Sequence, residues 1–153
     1  MSLSEQEILQ LLEKHHINYI VRKHEPIFTV AEGEALGLPN VQAAVKSLLL
    51  TDDKHQSFYL VVLPLDKRLD LKELRAKIGS RRLTMASAEE LMRLLQLSPG
   101  AVTPFGLLQD VEHKVQTFFA SPNQPALEES PQLSVCLDFF MAAVTTPVKK
   151  SMP

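Results

Sequence analysis

Two stretches of the chain carry residue types able to do chemistry. The first is Pro99-Gly100-Ala101-Val102-Thr103-Pro104. Gly100 permits a positive φ or a close approach of the backbone to a ligand, and Pro99 and Pro104 stiffen the flanks. Exposed amides on such a loop could hold the oxyanion that forms as water attacks a carbonyl. The same residues also read as ordinary punctuation, a glycine stop after a helix ending near Leu97. The second is Lys46, at the start of the apolar run Val45-Lys46-Ser47-Leu48-Leu49-Leu50. A lone cation there could hold a phosphate or orient a carbonyl, or simply snorkel to water from a strand edge. Thr29 could lend a hydroxyl near the pocket, but reads better as a helix N-cap. His24 reads as a structural hydrogen-bonding residue rather than a general base.

Other chemistries lack their residues. There is no G-x-G-x-x-G, P-loop, G-x-S-x-G elbow or H-E-x-x-H. The five histidines, His15, His16, His24, His55 and His113, show no paired metal-ligand spacing. The one cysteine, Cys136, sits in the apolar run 133–143 and reads as a small buried hydrophobe; alone it excludes an intramolecular disulfide or a multi-cysteine zinc site. No metal and no cofactor is therefore expected. What remains is backbone amides, a lysine, hydroxyls and water.

These residues must be positioned by a chain of 153 residues, 45% hydrophobic and 22% charged, the profile of one ordinary globular domain. The formal net charge is -2. Charge is uneven, however. The window Lys67–Arg93 sets Lys67, Arg68, Lys72, Arg75, Lys77, Arg81, Arg82 and Arg93 against four carboxylates, a net of +4, so the remainder carries -6. That window reads as a solvated helix face or as a surface that steers a phosphate-bearing partner. No apolar run approaches the roughly 18 residues of a membrane span, and the polar N-terminus has no secretory pattern. A cytoplasmic protein without a membrane partner is expected.

Ser4 with Glu7 is a capping box opening a helix over 4–16. Tyr19, Ile20 and Val21 predict a strand over 18–24. Thr29 caps a short helix, 30–36, stopped by Gly37 and Pro39. Val45–Thr51 and Ser57–Leu63 flank the polar turn 52–56 as a β-hairpin. Both runs are apolar on both faces, which places them at the centre of a covered sheet. Asp70 caps a helix to Ile78 that Gly79 ends. A strand over 83–86 follows, then a second capping box, Ser87 with Glu90, opening a helix to about Leu97. Residues 97–106 are dense in turn-formers, 114–119 form a strand, and the proline-rich 120–132 is irregular. Residues 133–144 form a strand leading into a helix, or a single helix, and 145–153 are a frayed tail. The expected fold is α/β of the α+β type: one domain over 1–153, with a mixed, mostly antiparallel sheet flanked by helices.

Several stretches, in this order and spacing, resemble the YbaK/ProX family. They are His24-Glu25-Pro26-Ile27-Phe28-Thr29-Val30-Ala31-Glu32, Val45 to Leu50, Phe58-Tyr59-Leu60-Val61-Val62, Lys67-Arg68-Leu69-Asp70-Leu71-Lys72, Gly79-Ser80-Arg81-Arg82-Leu83-Thr84, and Pro99 to Leu108 followed by Asp110. The family includes the editing domain inserted in bacterial prolyl-tRNA synthetases and its free-standing relatives. The resemblance implies that fold, and a hydrolase that cleaves a wrong amino acid from the 3′ end of tRNA without a cofactor. The Gly100-x-x-x-Pro104 loop is most similar to members that clear alanine from proline tRNA, with cysteine-clearing members the near alternative. By this resemblance Lys46, Gly100 and Ala101 are the catalytic candidates, and Thr29, Val102, Thr103, Pro104 and His24 line the substrate site. The partner implied is the 3′ end of aminoacyl-tRNA, with prolyl-tRNA synthetase as a second. A water activated by the ribose hydroxyl of the substrate fits this poor inventory of catalytic side chains.

The chain departs from the family after residue 119. Members carry a His-Pro dipeptide and a nearby Asn there. This chain reads Ala120-Ser121-Pro122-Asn123 onward, with no histidine beyond His113. A non-catalytic member that binds tRNA or the synthetase is the alternative this departure raises.

Overall fold

The computed structural model describes residues 4–120 and 127–130. Among them are four α-helices: α1 (Glu5–Lys14), α2 (Val30–Ala35), α3 (Leu71–Ile78) and α4 (Ala88–Leu95). There are five strands: β1 (Val45–Asp52), β2 (Phe58–Pro64), β3 (Leu83–Met85), β4 (Val115–Ala120) and β5 (Leu127–Ser130). Short 3-10 helices cover Val41–Ala43 and Pro104–Gln109.

The helix starts are where the capping residues place them. Ser4 and Glu7 close a reciprocal capping box on α1, and Ser87 and Glu90 do the same on α4. The Asp70 carboxylate accepts the N–H groups of Lys72 and Glu73 at the head of α3, and Gly79, at φ 65°, ends it.

The strands form one sheet in the order β3-β1-β2-β4-β5. All pairings are antiparallel except β2 with β4, which run parallel. A mixed, mostly antiparallel sheet was the expectation. The parallel pair demands a long crossover, and α3, β3, α4 and the segment up to β4 supply it.

Alternation along β1 and β2 sorts the core onto two faces. Leu49, Phe58 and Leu60 pack with Leu91, Leu94 and Leu95 of α4 and with Leu97. Leu50, Tyr59, Val61 and Leu63 pack with Leu74 of α3, Leu83 and Phe118. The two runs that are apolar on both faces are therefore covered on both faces. Burying each such leucine stabilises by about 1.5–3 kcal/mol. The polar turn between the strands is closed by Asp52, whose carboxylate accepts the N–H groups of Gln56 at 2.8 Å and Ser57 at 3.3 Å.

Three expectations change. Residues 18–24 form no strand: Ile20 and Val21 are 50% and 44% exposed and pair with no neighbour, and the Tyr19 hydroxyl donates to Glu13 of α1 at 2.8 Å. β-propensity alone does not make a strand when the segment does not dock on a sheet. Residues 127–130, expected as irregular, pair with β4 as β5. Within the expected loop 97–106, Pro104 already begins a 3-10 helix. The expectations for 133–144, for Cys136 and for the tail 145–153, and the departure at 121–126, lie outside the described residues. No helix among the described residues is long and apolar enough to cross a membrane.

Candidate functional site

The Gly100 loop is not the stop signal of the preceding helix. Gln96 serves that role: it takes the left-handed conformation at φ 54° and donates its N–H to Met92 of α4. Gly100 instead occupies a separate turn, in which the N–H of Ala101 donates to the carbonyl of Ser98 at 3.1 Å. Pro99 at the second position and Gly100 at the third, with φ 84°, are the type II pattern, which needs a residue tolerant of positive φ. A Cβ on Gly100 would meet nothing within 4 Å, so conformation alone requires the glycine.

The loop is anchored at both ends. Val102 and Leu107 pack against the α4-face core. Thr103 caps the 3-10 helix, its hydroxyl accepting the N–H of Phe105 at 3.4 Å, and Pro104 is buried in the first turn. Gly106 lies so close beneath that a Cβ would sit 2.6 Å from Leu97 Cδ1. Buried Asp110 ties the far end down, its two carboxylate oxygens accepting the N–H groups of Lys114 at 3.0 Å and Val115 at 2.8 Å. A rigid, exposed turn results. The amides of Gly100, Val102 and Thr103 have no hydrogen-bond partner among the described residues, whereas that of Ala101 is spent within the turn. Backbone N–H groups left open on a braced loop are the kind of donor that can hold an anion.

Lys46 is half-buried near the start of β1, and its ammonium has no ion pair or hydrogen bond among the described residues. Its strand partner is Leu63, so it lies on the α3 face, opposite the Gly100 loop. Thr29 is exposed; its hydroxyl accepts the N–H of Glu32 at 3.2 Å, the N-cap role. The structure joins this segment to the Lys46 end of the sheet. Val30 N–H donates to Asp66 at 2.9 Å, and the adjoining Leu65 N–H donates to Ala44 at 2.9 Å. His24 is exposed, with Nδ1 2.6 Å from the carbonyl of Glu25, a local contact that ties it to nothing in the sheet.

The site residues therefore fall into two groups. Thr29 and Lys46 gather at the beginning of β1, while Gly100, Ala101, Val102, Thr103 and Pro104 ride on the other face. Leu107, just past the loop, packs against Val62 and Phe119, and Val62 is the register partner of Ser47, the neighbour of Lys46. Ser47, Asp66 and Asp110 did not emerge as site residues from the sequence. Asp110 follows the loop motif directly, which is the one signal that could have pointed to it as the brace of the loop.

A mixed sheet with a braced, exposed turn at one face, and a lysine near a strand start whose ammonium has no partner among the described residues, defines a small α/β protein. The family model of the aminoacyl-tRNA editing domain matches residues 24–121, and the chain belongs to that family. It is 40% identical over 116 residues to the prolyl-tRNA editing protein ProX of Acetoanaerobium sticklandii, covering 76% of this chain and 71% of that one. It is 32% identical over 111 residues to the prolyl-tRNA synthetase associated domain-containing protein 1 of Xenopus laevis, covering 69% of this chain and 64% of the relative. Among solved structures, one described as a candidate trans-editing enzyme for prolyl-tRNA synthetase matches with a TM-score of 0.51 and 30% identity, over 69% of this chain and 68% of that one. A hypothetical protein at 21% identity shares the fold, with a TM-score of 0.52 over 86% of this chain and 91% of its own.

Proposed function

We propose that this chain is a single editing domain that acts in trans in the cytoplasm as an aminoacyl-tRNA deacylase, with alanine on proline tRNA as its substrate and cysteine on the same tRNA as the alternative. The observation that carries the reading is the braced Gly100 loop, with its open amides, in a chain 40% identical to a prolyl-tRNA editing protein. The chemical need is general. A synthetase pocket separates side chains differing by a methylene by only about 1–3 kcal/mol, and a second hydrolytic site restores accuracy.

In this reading water adds to the ester carbonyl carbon. The carbonyl oxygen becomes an oxyanion and is held by the amides of Gly100, Val102 and Thr103. The intermediate collapses with cleavage of the bond between the carbonyl carbon and the ribose oxygen, releasing the amino acid and the tRNA hydroxyl. The neighbouring ribose hydroxyl of the substrate accepts the proton from the attacking water and relays it to the leaving oxygen. In this reading Lys46, on the opposite face, serves the phosphate of the 3′-terminal nucleotide rather than the acyl group, which its register with Leu63 supports.

Deacylation of a small panel tests the reading: alanine, cysteine and serine on proline tRNA, with cognate proline as control. Loss of alanine with proline spared is expected. Loss of cysteine alone would reassign the substrate. If every amino acid stayed esterified, the catalytic reading would fall in favour of a tRNA-binding member without chemistry.

A further inference from the structure

The basic window of the sequence is divided by the fold. Arg93 lies on α4 with its guanidinium 5.7 Å from the ring centroid of Phe58, on the α4 face of the sheet. The other cations belong to α3 and the segments on either side of it.

The carboxylates there are already engaged. Glu73 pairs with Lys77 at 2.7 Å. Asp53 takes two hydrogen bonds from Arg81, at 2.5 and 3.0 Å. Asp70 accepts backbone N–H groups at the head of α3, and Asp66 accepts that of Val30. Lys67, Arg68, Lys72, Arg75 and Arg82 are exposed and have no ion pair among the described residues.

Lys72 and Arg75 stand three residues apart on one helix, a spacing at which like charges repel. The same helix packs Leu74 onto the sheet face that carries Leu63, the register partner of Lys46. Unpaired cations therefore gather on the face that also holds Lys46, on a molecule whose net charge is -2. A partner dense in phosphate would be drawn to that face and turned away from the acidic remainder.

We propose that the α3 surface formed by Lys67, Arg68, Lys72 and Arg75, extended by Arg82, is a phosphate-binding track that seats the acceptor helix of the tRNA and delivers its 3′ end to Lys46 and the Gly100 loop. The proposal rests on the editing reading. Contacts of this kind position the RNA without reading its sequence.

The test combines Lys67→Gln, Arg68→Gln, Lys72→Gln and Arg75→Gln in one variant, with Arg93→Gln as a control on the opposite face. Circular dichroism melting verifies that both are folded. Filter binding of tRNA across a salt series, and hydrolysis of mischarged tRNA and of a mischarged CCA trinucleotide, are then compared with the parent protein. The combined variant is expected to raise the Kd and KM for full tRNA at least ten-fold. It is also expected to flatten the log–log salt slope by about three, at somewhat under one per phosphate contact. Its rate on the trinucleotide and the behaviour of Arg93→Gln should stay at parent values. An unchanged salt slope, or equal losses on tRNA and trinucleotide, would overturn the track. If the parent protein hydrolysed neither substrate, the editing reading would fall, and the salt slope would still decide whether α3 binds RNA.

Discussion

The N–H of Ala101 donates to the carbonyl of Ser98 at 3.1 Å and thereby fixes Gly100 at φ 84°, leaving the amides of Gly100, Val102 and Thr103 open. Gly100→Ala should lower kcat at least ten-fold. A Cβ there meets no atom within 4 Å, so the effect comes from the left-handed conformation, which costs an alanine about 1–2 kcal/mol. Ala101→Gly, which keeps the donating N–H, should stay within about two-fold of the parent rate, because one lost methyl leaves the oxyanion donors in place. Single-turnover deacylation of both variants checks this; equal activity of Gly100→Ala and the parent would remove the turn from the mechanism.

The Lys46 ammonium has no partner among the described residues, so Lys46→Ala should leave the urea midpoint of unfolding nearly unchanged. It should raise the KM for tRNA more than it lowers kcat, since the register with Leu63 keeps the ammonium off the loop face. Lys46→Arg should recover much of the affinity by keeping the charge. A fall in kcat alone, with KM unmoved, would place the ammonium at the reacting carbonyl instead.

Asp110 accepts the N–H groups of Lys114 and Val115 with both oxygens and is buried. Asp110→Ala leaves those donors without it and should destabilise the protein by about 1–3 kcal/mol. Asp110→Asn, which retains one acceptor oxygen, should cost less. Chemical denaturation gives the two values; a neutral alanine variant would mean that the loop needs no such brace.

Two aspartates in the hairpin make stability depend on pH. Hydrogen bonds from the N–H groups of Gln56 and Ser57 hold the Asp52 carboxyl below its ordinary value of 3.8, and the Arg81 guanidinium does the same for Asp53. A carboxyl lowered in the folded state contributes stability that is fully present above the ordinary value. That contribution fades as pH falls below 3.8 through the folded-state value. The urea midpoint should therefore drop on acidification through that range, and Asp52→Asn should make the drop shallower. An identical pH profile for parent and variant would exclude Asp52 as a source.

The sequence by itself determined the local structure wherever a short-range rule had one answer. Ser4 with Glu7, Asp70 with Gly79, and Ser87 with Glu90 each announce a helix end, because capping hydrogen bonds reach only two or three residues. The hairpin and the burial of β1 and β2 followed from their unbroken apolar runs. The candidate loop was visible as Gly100 between Pro99 and Pro104. Tertiary structure decided what depends on a partner distant in sequence. Residues 18–24 have strand propensity but pair with no strand among the described residues, while 127–130 lack an apolar pattern and pair with β4. The sequence also could not say that Gln96 would relieve Gly100 of ending α4, since several neighbouring residues could have taken that left-handed position. Least legible was the sheet face on which Lys46 lies. A strand places alternate residues on opposite faces, and only the pairing with Leu63 set that face against α3, with the Gly100 loop on the other side.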